Sequence, residues 1–180
     1  MVSPKVTRAV TRSALCFKEE GNLPSLFEKV SGYSVRQLLE EPSTGIFFDG
    51  RLVARAFLRS RFSEYLIGCG LERRSIDSAV RHSRRGQFLL VRDLLFVIDQ
   101  RCRQRAESTY EKLQTCDFKR KQYLKLVSPL GLKVEYVYVL SDWFKNPCYR
   151  DVLDYIHSVN CHYKFNELPL AWLGLPAGKT

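Results

Sequence analysis

The sequence predicts an α/β fold in which a mixed central sheet of about five strands is flanked by helices on both faces. An almost wholly apolar run over 88–99 is typical of a central strand covered on both sides. After this run, helix and strand patterns alternate, and the connections are long enough to hold helices. The chain has 180 residues, 45% of them hydrophobic, which is enough for one domain with its own core.

The first half of the chain carries the patterns of two helices and two strands. Ser34 followed by Gln37 is a capping-box pattern. Further along, apolar residues recur at helical spacing until Gly68, and the basic stretch 81–87 is a predicted turn. The predicted elements are a helix over 34–41, a helix over about 51–67, a short strand over 75–80 and a long strand over 88–99.

The second half alternates helix and strand patterns. Ser108 followed by Glu111 is another capping box, and Pro129 stops the helix that it begins. Alternation of apolar and charged residues then indicates a strand, and Pro147 suits the first position of a helix. The predicted elements are a helix over 108–127, a strand over 133–140, a helix over 146–160, a short strand over 162–165 and a packed apolar tail over 168–176.

The domain organisation is expected to be simple. Residues 1–22 are predicted to be loose and basic, and residues 23–180 to form a single domain. The sequence has neither a secretory signal nor an apolar run of the roughly 18 residues that a membrane span needs. We therefore expect an intracellular protein with reduced thiols, most simply cytoplasmic and of prokaryotic or viral context. Because no acid precedes Glu19, an organellar leader is the alternative.

The charge balance points to a polyanionic partner. Lys and Arg exceed Asp and Glu by 10, and the isoelectric point is near 9.5. Nucleic acid is the first candidate, and an anionic membrane surface is second because no amphipathic anchor is evident. The six cysteines contain no CxxC pair, which argues against a zinc site. The basic clusters are Arg84 with Arg85, then Arg101, Arg103 and Arg105, and finally 119–121.

Acidic residues on predicted strands are a second signal. Asp99 ends the long apolar strand, where a charge is costly unless it is paired or used. Asp77 falls within the predicted strand 75–80 and is the candidate for a second carboxylate beside Asp99. Asp93 is the alternative candidate for that role. Two carboxylates on adjacent strands beside a cation are what Mg²⁺-dependent hydrolysis of a phosphodiester needs. The structural alternative is a strand-end cap or a surface ion pair.

The segment 98–115, IDQRCRQRAESTYEKLQT, resembles part of a known nuclease family. It is similar to the strand-to-helix segment of type II restriction endonucleases of the PD-(D/E)XK superfamily, in which an acid-x-Lys motif ends a strand before a helix. The resemblance covers about 60–176. Its other supporting segments are 118–123, 137–144, 149–156, 163–169 and 173–176.

The resemblance assigns site residues by position. Asp77 stands for the acid of the Pro-Asp motif, Asp99 and Arg101 for the acid-x-Lys motif, and Glu64 for an auxiliary acid. The family's lysine is replaced by Arg101, which keeps the charge but cannot release a proton. Two further departures are Arg103, where the family often has Gln, and Glu107, where it has Gly.

The resemblance implies a Mg²⁺-dependent endonuclease that cleaves double-stranded DNA at a specific site and leaves 5′-phosphate ends. Asp77 and Asp99 would bind the metal, Arg101 would hold the scissile phosphate or the attacking water, and Glu64 would assist. A symmetric site implies a homodimer, without a membrane or a small-molecule cofactor. The residues expected to bind DNA are Arg84, Arg85, Arg103, Arg105, Ser108, Lys112, Lys119 and Lys121.

Two other functions stay open. The first is a catalytically inactive pseudonuclease that binds DNA, which is favoured by the arginine at position 101. The second is a structural or regulatory protein that binds RNA, which is favoured by charge alone.

Overall fold

The structure, a computed structural model, describes residues 13–17, 21–80, 86–101 and 106–179, and at 106–109 the backbone alone. The strands are β1 (Ala14–Cys16), β2 (Tyr33–Gln37), β3 (Thr44–Phe48), β4 (Arg51–Phe57), β5 (Gly86–Val91), β6 (Leu94–Arg101), β7 (Lys133–Leu140), β8 (His162–Phe165) and β9 (Glu167–Pro169). The helices are α1 (Leu23–Phe27), α2 (Arg59–Gly68), α3 (Arg73–Val80), α4 (Ala106–Gln114), α5 (Cys116–Val127) and α6 (Arg150–Ser158).

The fold is α/β, as the sequence predicts, with a central mixed sheet. Strands β2 to β8 lie in chain order in a sheet that has seven strands among the described residues, rather than about five. The connections from β2 to β6 are antiparallel, whereas β6, β7 and β8 are parallel to one another. The parallel pairs are the ones that need crossover helices, which α4, α5 and α6 supply.

The predicted helix over 34–41 and the first part of that over 51–67 are wrong, because both regions are strands. Residues 33–37 form β2, and residues 51–57 form β4, on either side of β3. Asp49 and Gly50 both adopt positive φ, at 49° and 76°, and make the tight turn that pairs β3 with β4. Only the second part of the predicted helix is helical, as α2.

The predictions for 75–80 and 88–99 also need correction. Residues 75–80 lie in α3, where Ile76, Ala79 and Val80 form the buried side of a helix rather than a strand. The apolar run 88–99 is two strands, β5 and β6, because the chain turns back at 92–93. Asp93 therefore lies in a turn and does not share a strand with Asp99.

The predictions for the second half of the chain agree better with the structure. The strands over 133–140 and 162–165 are confirmed as β7 and β8, and the helix over 146–160 is confirmed in its main part as α6, which follows a 3-10 turn at Pro147–Tyr149. The helix over 108–127 is split into α4 and α5 near residue 115. Within the N-terminal segment predicted to be loose, residues 14–16 form β1, which pairs with β9. The apolar tail is packed, as predicted, since Leu168, Leu170 and Leu173 are buried.

The two faces of the large sheet carry separate cores. On one face, side chains of β5, β6 and β7 pack against α2, α3, α5 and α6. On the other face, α1 and the C-terminal tail cover the sheet. Because side chains alternate along a strand, Val97 of β6 faces the first core and Ile98 faces the second. Asp99 therefore points to the same face as Val97, towards α5.

None of the helices in the described parts of the chain combines the length and apolar character needed to cross a membrane.

Candidate functional site

The candidate site is centred on Asp99, near the C-terminal end of β6. The strand lies between β5 and β7, and Asp99 is paired in register with Gly86 on one side and Tyr138 on the other. The residue is only 1% exposed. A carboxylate at such a position needs strong partners, because burial removes its hydration.

Three polar groups approach one oxygen of this carboxylate. Arg101 donates a hydrogen bond from Nη2 to Asp99 Oδ2 at 2.8 Å, and the Tyr136 hydroxyl donates to the same oxygen at 3.1 Å. Lys119 Nζ lies 3.7 Å from it. We call these four residues the Asp99 cluster. The other oxygen, Oδ1, is buried and has no hydrogen-bond partner within the part of the chain that the structure describes.

The local sequence explains how the cluster forms. Arg101 follows Asp99 by two positions on one strand, so both side chains point to the same face of the sheet. Tyr136 lies on the neighbouring parallel strand and faces the same core. Lys119 comes from α5, which packs against β7, and its ammonium group lies 6.0 Å from the centre of the Tyr136 ring.

Burial and charge shift the pKa values of the cluster in different directions. Burial lowers the pKa of Lys119, and the opposing attraction of Asp99 does not cancel this effect. Burial also lowers the pKa of Arg101, but the charge of Asp99 and its hydrogen bond outweigh that, so the net pKa is raised. Burial, followed by the charge of Asp99, raises the pKa of Tyr136 well above its usual value. Tyr136 therefore keeps its proton and acts as a donor.

The structure contradicts the prediction that Lys119 contacts DNA from the surface. The side chain is buried, with the residue only 6% exposed, and it is directed at Asp99. The sequence contained a signal for this, because Lys119 falls at helical spacing with Cys116 and Tyr123 on the buried stripe of α5. A lysine on that stripe needs a buried anion, which Asp99 provides.

The predicted partnership of Asp77 with Asp99 is wrong. Asp77 lies on α3 rather than on a strand, and its side chain is exposed to solvent. The strand that neighbours Asp99 is β5, and the residue directly opposite is Gly86, which has no side chain to offer. The expected pair of carboxylates on adjacent strands is therefore not formed by these residues.

The other two predicted acids also lie apart from the cluster. Glu64 is on α2, as predicted, but it is 54% exposed and pairs with Arg61 at 3.1 Å. Asp93 lies in the turn before β6 and pairs with Lys133 at 2.9 Å. It precedes Asp99 by six positions, which corresponds to about 20 Å along an extended strand. Asp93 therefore has the surface ion pair that the structural alternative predicted, and Glu64 has a surface ion pair as well.

The predicted DNA-binding residues divide into two groups. Lys121 is exposed on α5 and pairs with Asp117 at 2.7 Å, and Lys112 is exposed near the end of α4. The remaining ones fall where the structure gives no side chain. Arg84, Arg85, Arg103 and Arg105 lie outside the described residues, and Ser108 is described by its backbone in α4 alone.

Sequence reasoning missed the two tyrosines of β7. Tyr136 and Tyr138 alternate along the strand, are fully buried and face the first core. The Tyr138 hydroxyl donates to the carbonyl oxygen of Lys112 at 3.0 Å, which joins β7 to α4. The signal was available, since hydroxyl groups at alternate positions of a buried strand need acceptors.

The cluster does not fit a Mg²⁺ ion. Magnesium prefers several oxygen ligands, usually with one or two carboxylates among them. Asp99 Oδ1 is a suitable oxygen, but Arg101 and Lys119 place positive charge beside it, and Gly86 supplies no second ligand. Across the residues that are described, no group of three or more His, Cys, Asp or Glu side chains is placed to hold a metal.

Two basic segments of the sequence adjoin one end of the sheet. Gly86 begins β5 and pairs in register with Asp99, two residues before β6 ends at Arg101. The segment 81–85, which contains three arginines, leads into this end, and the segment 102–105, which contains two, leaves it. We call the sheet end marked by Gly86 and Arg101, with the sequence that adjoins it, the basic end.

Comparisons with family profiles, curated proteins and solved structures find no match for this chain. The similarity to PD-(D/E)XK nucleases therefore stays a prediction from the residues.

Proposed function

We propose that this protein binds double-stranded DNA through phosphate contacts and does not cut it. The observation that carries the proposal is the register pairing of Gly86 with Asp99, since an arginine-rich segment directly precedes Gly86 in the sequence and another directly follows Arg101. Arginine is suited to such a partner, because its guanidinium group binds phosphates bidentately. The excess of 10 positive charges over the whole chain supports the same partner.

The Asp99 cluster supports binding without catalysis. Two cations and a hydroxyl group occupy the carboxylate oxygen Oδ2, and Arg101 cannot serve as a base. With Gly86 opposite Asp99, the metal-binding pair of the nuclease family is incomplete. One carboxylate beside two cations leaves a formal surplus of positive charge at the basic end, which favours a nearby phosphate.

Two accompanying properties are part of this proposal. We infer an intracellular setting, because the described cysteines are free thiols and DNA is the partner. We also infer a homodimer, because the resemblance to type II restriction endonucleases implies a symmetric site.

A Mg²⁺-dependent endonuclease is the second candidate. Asp99 Oδ1 favours it, because this buried oxygen has no partner within the described part of the chain and could accept a ligand. Cleavage would require Arg101 and Lys119 to release the Asp99 carboxylate so that it could bind Mg²⁺. The DNA itself would have to contribute further oxygen ligands to the metal.

Plasmid cleavage and DNA binding, measured side by side, separate the two candidates. We expect a gel shift of duplex DNA without Mg²⁺, and supercoiled plasmid that stays intact with Mg²⁺ or chelator. Arg101→Lys should remain inactive, because the second carboxylate is still missing. Cleavage that needs Mg²⁺, is lost in Asp99→Asn and persists in the control Asp77→Asn would instead establish the second candidate.

Competition with RNA tests the remaining function. Labelled duplex DNA is bound first, and unlabelled duplex DNA or RNA of the same sequence is added. DNA should displace the probe at lower concentration. If RNA displaces it more effectively, the protein is an RNA-binding protein and the DNA proposal is wrong.

A further inference from the structure

A groove between α3 and α5 lies apart from the Asp99 cluster. Its volume of about 600 Å³ is within the range of small-molecule sites. Its lining includes Ala79 and Leu126, which are buried and form an apolar floor. Arg74, Ser78 and Lys125 are also part of the lining. An apolar floor with cations and a hydroxyl group beside it suits a ligand that has an apolar or planar body and an anionic group.

The charges of the groove favour a phosphate. Arg74 and Lys125 are exposed, and neither makes an ion pair with any described residue. This distinguishes Lys125 from Lys121 one turn earlier, which is paired with Asp117. Glu72 also lines the groove, so the formal balance of its charged side chains is +1. Two cations on one groove that form no ion pair within the described part of the chain are available to an anionic ligand.

Gln122 adds a requirement for a hydrogen-bond donor. It lines the groove from α5, and its Oε1 atom is buried without a partner among the described residues. A buried acceptor without a donor costs free energy, and a ligand N–H group would satisfy it once the side-chain amide turns towards the groove. Glutamine recognises the exocyclic amino group of adenine in this way, because the amide oxygen accepts from N6.

We propose that this groove binds a nucleoside phosphate. The phosphate would lie between Arg74 and Lys125, the base would cover the apolar floor, and an amino group of the base would donate to Gln122. The proposal does not depend on DNA binding at the basic end. The same chemistry is present in a free nucleotide and in a nucleotide of a nucleic acid, so the experiment must distinguish these two sources.

Calorimetric titration of the full chain tests the groove with AMP, ribose 5-phosphate and a short DNA duplex. We expect saturable binding of AMP that is at least about tenfold tighter than that of ribose 5-phosphate, a difference of about 1.4 kcal/mol. Gln122→Leu should reduce this preference. The double change Arg74→Ala with Lys125→Ala should weaken both small ligands. The matched control is Lys29→Ala with Arg51→Ala, which removes two exposed cations elsewhere.

Filling the groove identifies the source of the nucleotide. Ser78→Trp places a large side chain in it from an exposed position of α3, and circular dichroism and the melting temperature verify folding. Loss of AMP binding with unchanged duplex binding assigns the site to a free nucleotide, and loss of both assigns it to a nucleic acid. The proposal is overturned if AMP shows no saturable binding, or if it binds Ser78→Trp and the Arg74/Lys125 variant as it binds the starting protein.

Discussion

Asp99 shows how one buried charge determines the character of its surroundings. Removing a carboxylate from water is costly, and Arg101, Lys119 and Tyr136 compensate from three different elements. The cations do not contribute equally. Arg101 makes a direct hydrogen bond, whereas Lys119 is farther away and its own burial lowers its pKa. Arg101 is therefore the partner that Asp99 requires most.

The first prediction compares the loss of the anion of this cluster with the loss of one of its cations. Asp99→Asn leaves two buried cations without their anion and should lower the free energy of unfolding by about 3–5 kcal/mol. Lys119→Met removes a buried charge while Arg101 and Tyr136 still satisfy Asp99, so its effect should stay within about 1 kcal/mol. Urea unfolding followed by circular dichroism measures both.

The control for this comparison is Lys121→Met on the same helix. Lys121 is 68% exposed, so loss of its pair with Asp117 should cost less than about 1 kcal/mol. If Lys119→Met destabilises as much as Asp99→Asn, the charge of Lys119 is an obligatory part of the cluster and the ranking above is wrong.

The second prediction concerns Tyr33 and alkaline pH. Its hydroxyl group donates to the carbonyl oxygen of Pro176 at 2.5 Å, and burial raises its pKa to about 12. Between about pH 10 and this value the folded chain keeps a proton that the unfolded chain loses. The stabilisation is complete below about pH 10 and is lost as pH rises through the folded pKa.

Tyr33→Phe should therefore show a shallower decline of the free energy of unfolding between about pH 10 and pH 12. Tyr136 and Tyr138, whose pKa values burial also raises, remain in both proteins, so the difference between the two curves reports Tyr33. Parallel curves over this range would show that Tyr33 loses its proton equally in both states.

At the scale of elements, the sequence predicted strands and helices correctly where a local pattern was long, and incorrectly where a turn or a strand pairing determined the structure. The apolar run predicts a single strand over 88–99, but Arg92 and Asp93 interrupt it, and that interruption is the hairpin turn. The helical spacing of Ile76, Ala79 and Val80 was present in a segment predicted as a strand. In contrast, β7 was predicted correctly, because alternation over eight residues is a strong signal.

The capping-box pattern at Ser34 failed for a different reason. A local pattern fixes only the first turn of a helix, whereas β2 gains a full antiparallel pairing with β3 over five residue pairs. That pairing depends on residues of β3, which lie 7 to 15 positions further along the chain, so a pattern of four residues could not reveal it. The same argument applies to β1, whose partner β9 lies at the other end of the chain.

The third prediction tests the turn between β5 and β6. Arg92 has a φ of 55°, a left-handed conformation that costs an L-residue with a side chain about 1 kcal/mol. Arg92→Gly removes this cost, although the greater freedom of glycine in the unfolded chain offsets part of the gain. We expect a small increase in the midpoint of thermal or urea unfolding.

Asp93→Gly provides the contrast at the next position. Asp93 does not have a positive φ, and the change removes its contact with Lys133, so stability should fall slightly. If Arg92→Gly destabilises as much as Asp93→Gly, the backbone at Arg92 carries no strain that glycine can relieve.

At the scale of the whole molecule, the candidate site was only partly predictable. Asp99 and Arg101 could be identified because they follow one another on one apolar strand, which is local information. The sequence assigns the second carboxylate to Asp77 because it predicts a strand over 75–80, whereas the register that places Gly86 beside Asp99 depends on the β5–β6 turn. Lys119 entered the cluster through the packing of α5, which no single segment encodes.

The last prediction concerns how positive charge is distributed over the molecule. If the basic end binds DNA, its arginines should contribute to the salt dependence of binding, whereas exposed cations elsewhere should not. The basic-end variant changes Arg84, Arg85, Arg103 and Arg105 to Ala. The control variant changes four exposed cations of the described structure to Ala, namely Lys29, Arg36, Arg51 and Lys133. Both variants lower the net charge by the same amount, so a general effect of charge acts equally on them.

The measurement is the slope of the logarithm of the association constant against the logarithm of the salt concentration. Each phosphate contact that is lost should reduce the slope by about 0.9, so the basic-end variant should lose up to about 3.6 if each arginine contacts one phosphate. The control variant should keep its slope, because Lys133 begins β7 at the opposite end of the parallel strand pair and Lys29 follows α1 on the other face of the sheet. Equal losses of slope would mean that DNA is held by the diffuse field of the chain. A loss confined to the control would place the DNA surface away from Gly86 and Arg101.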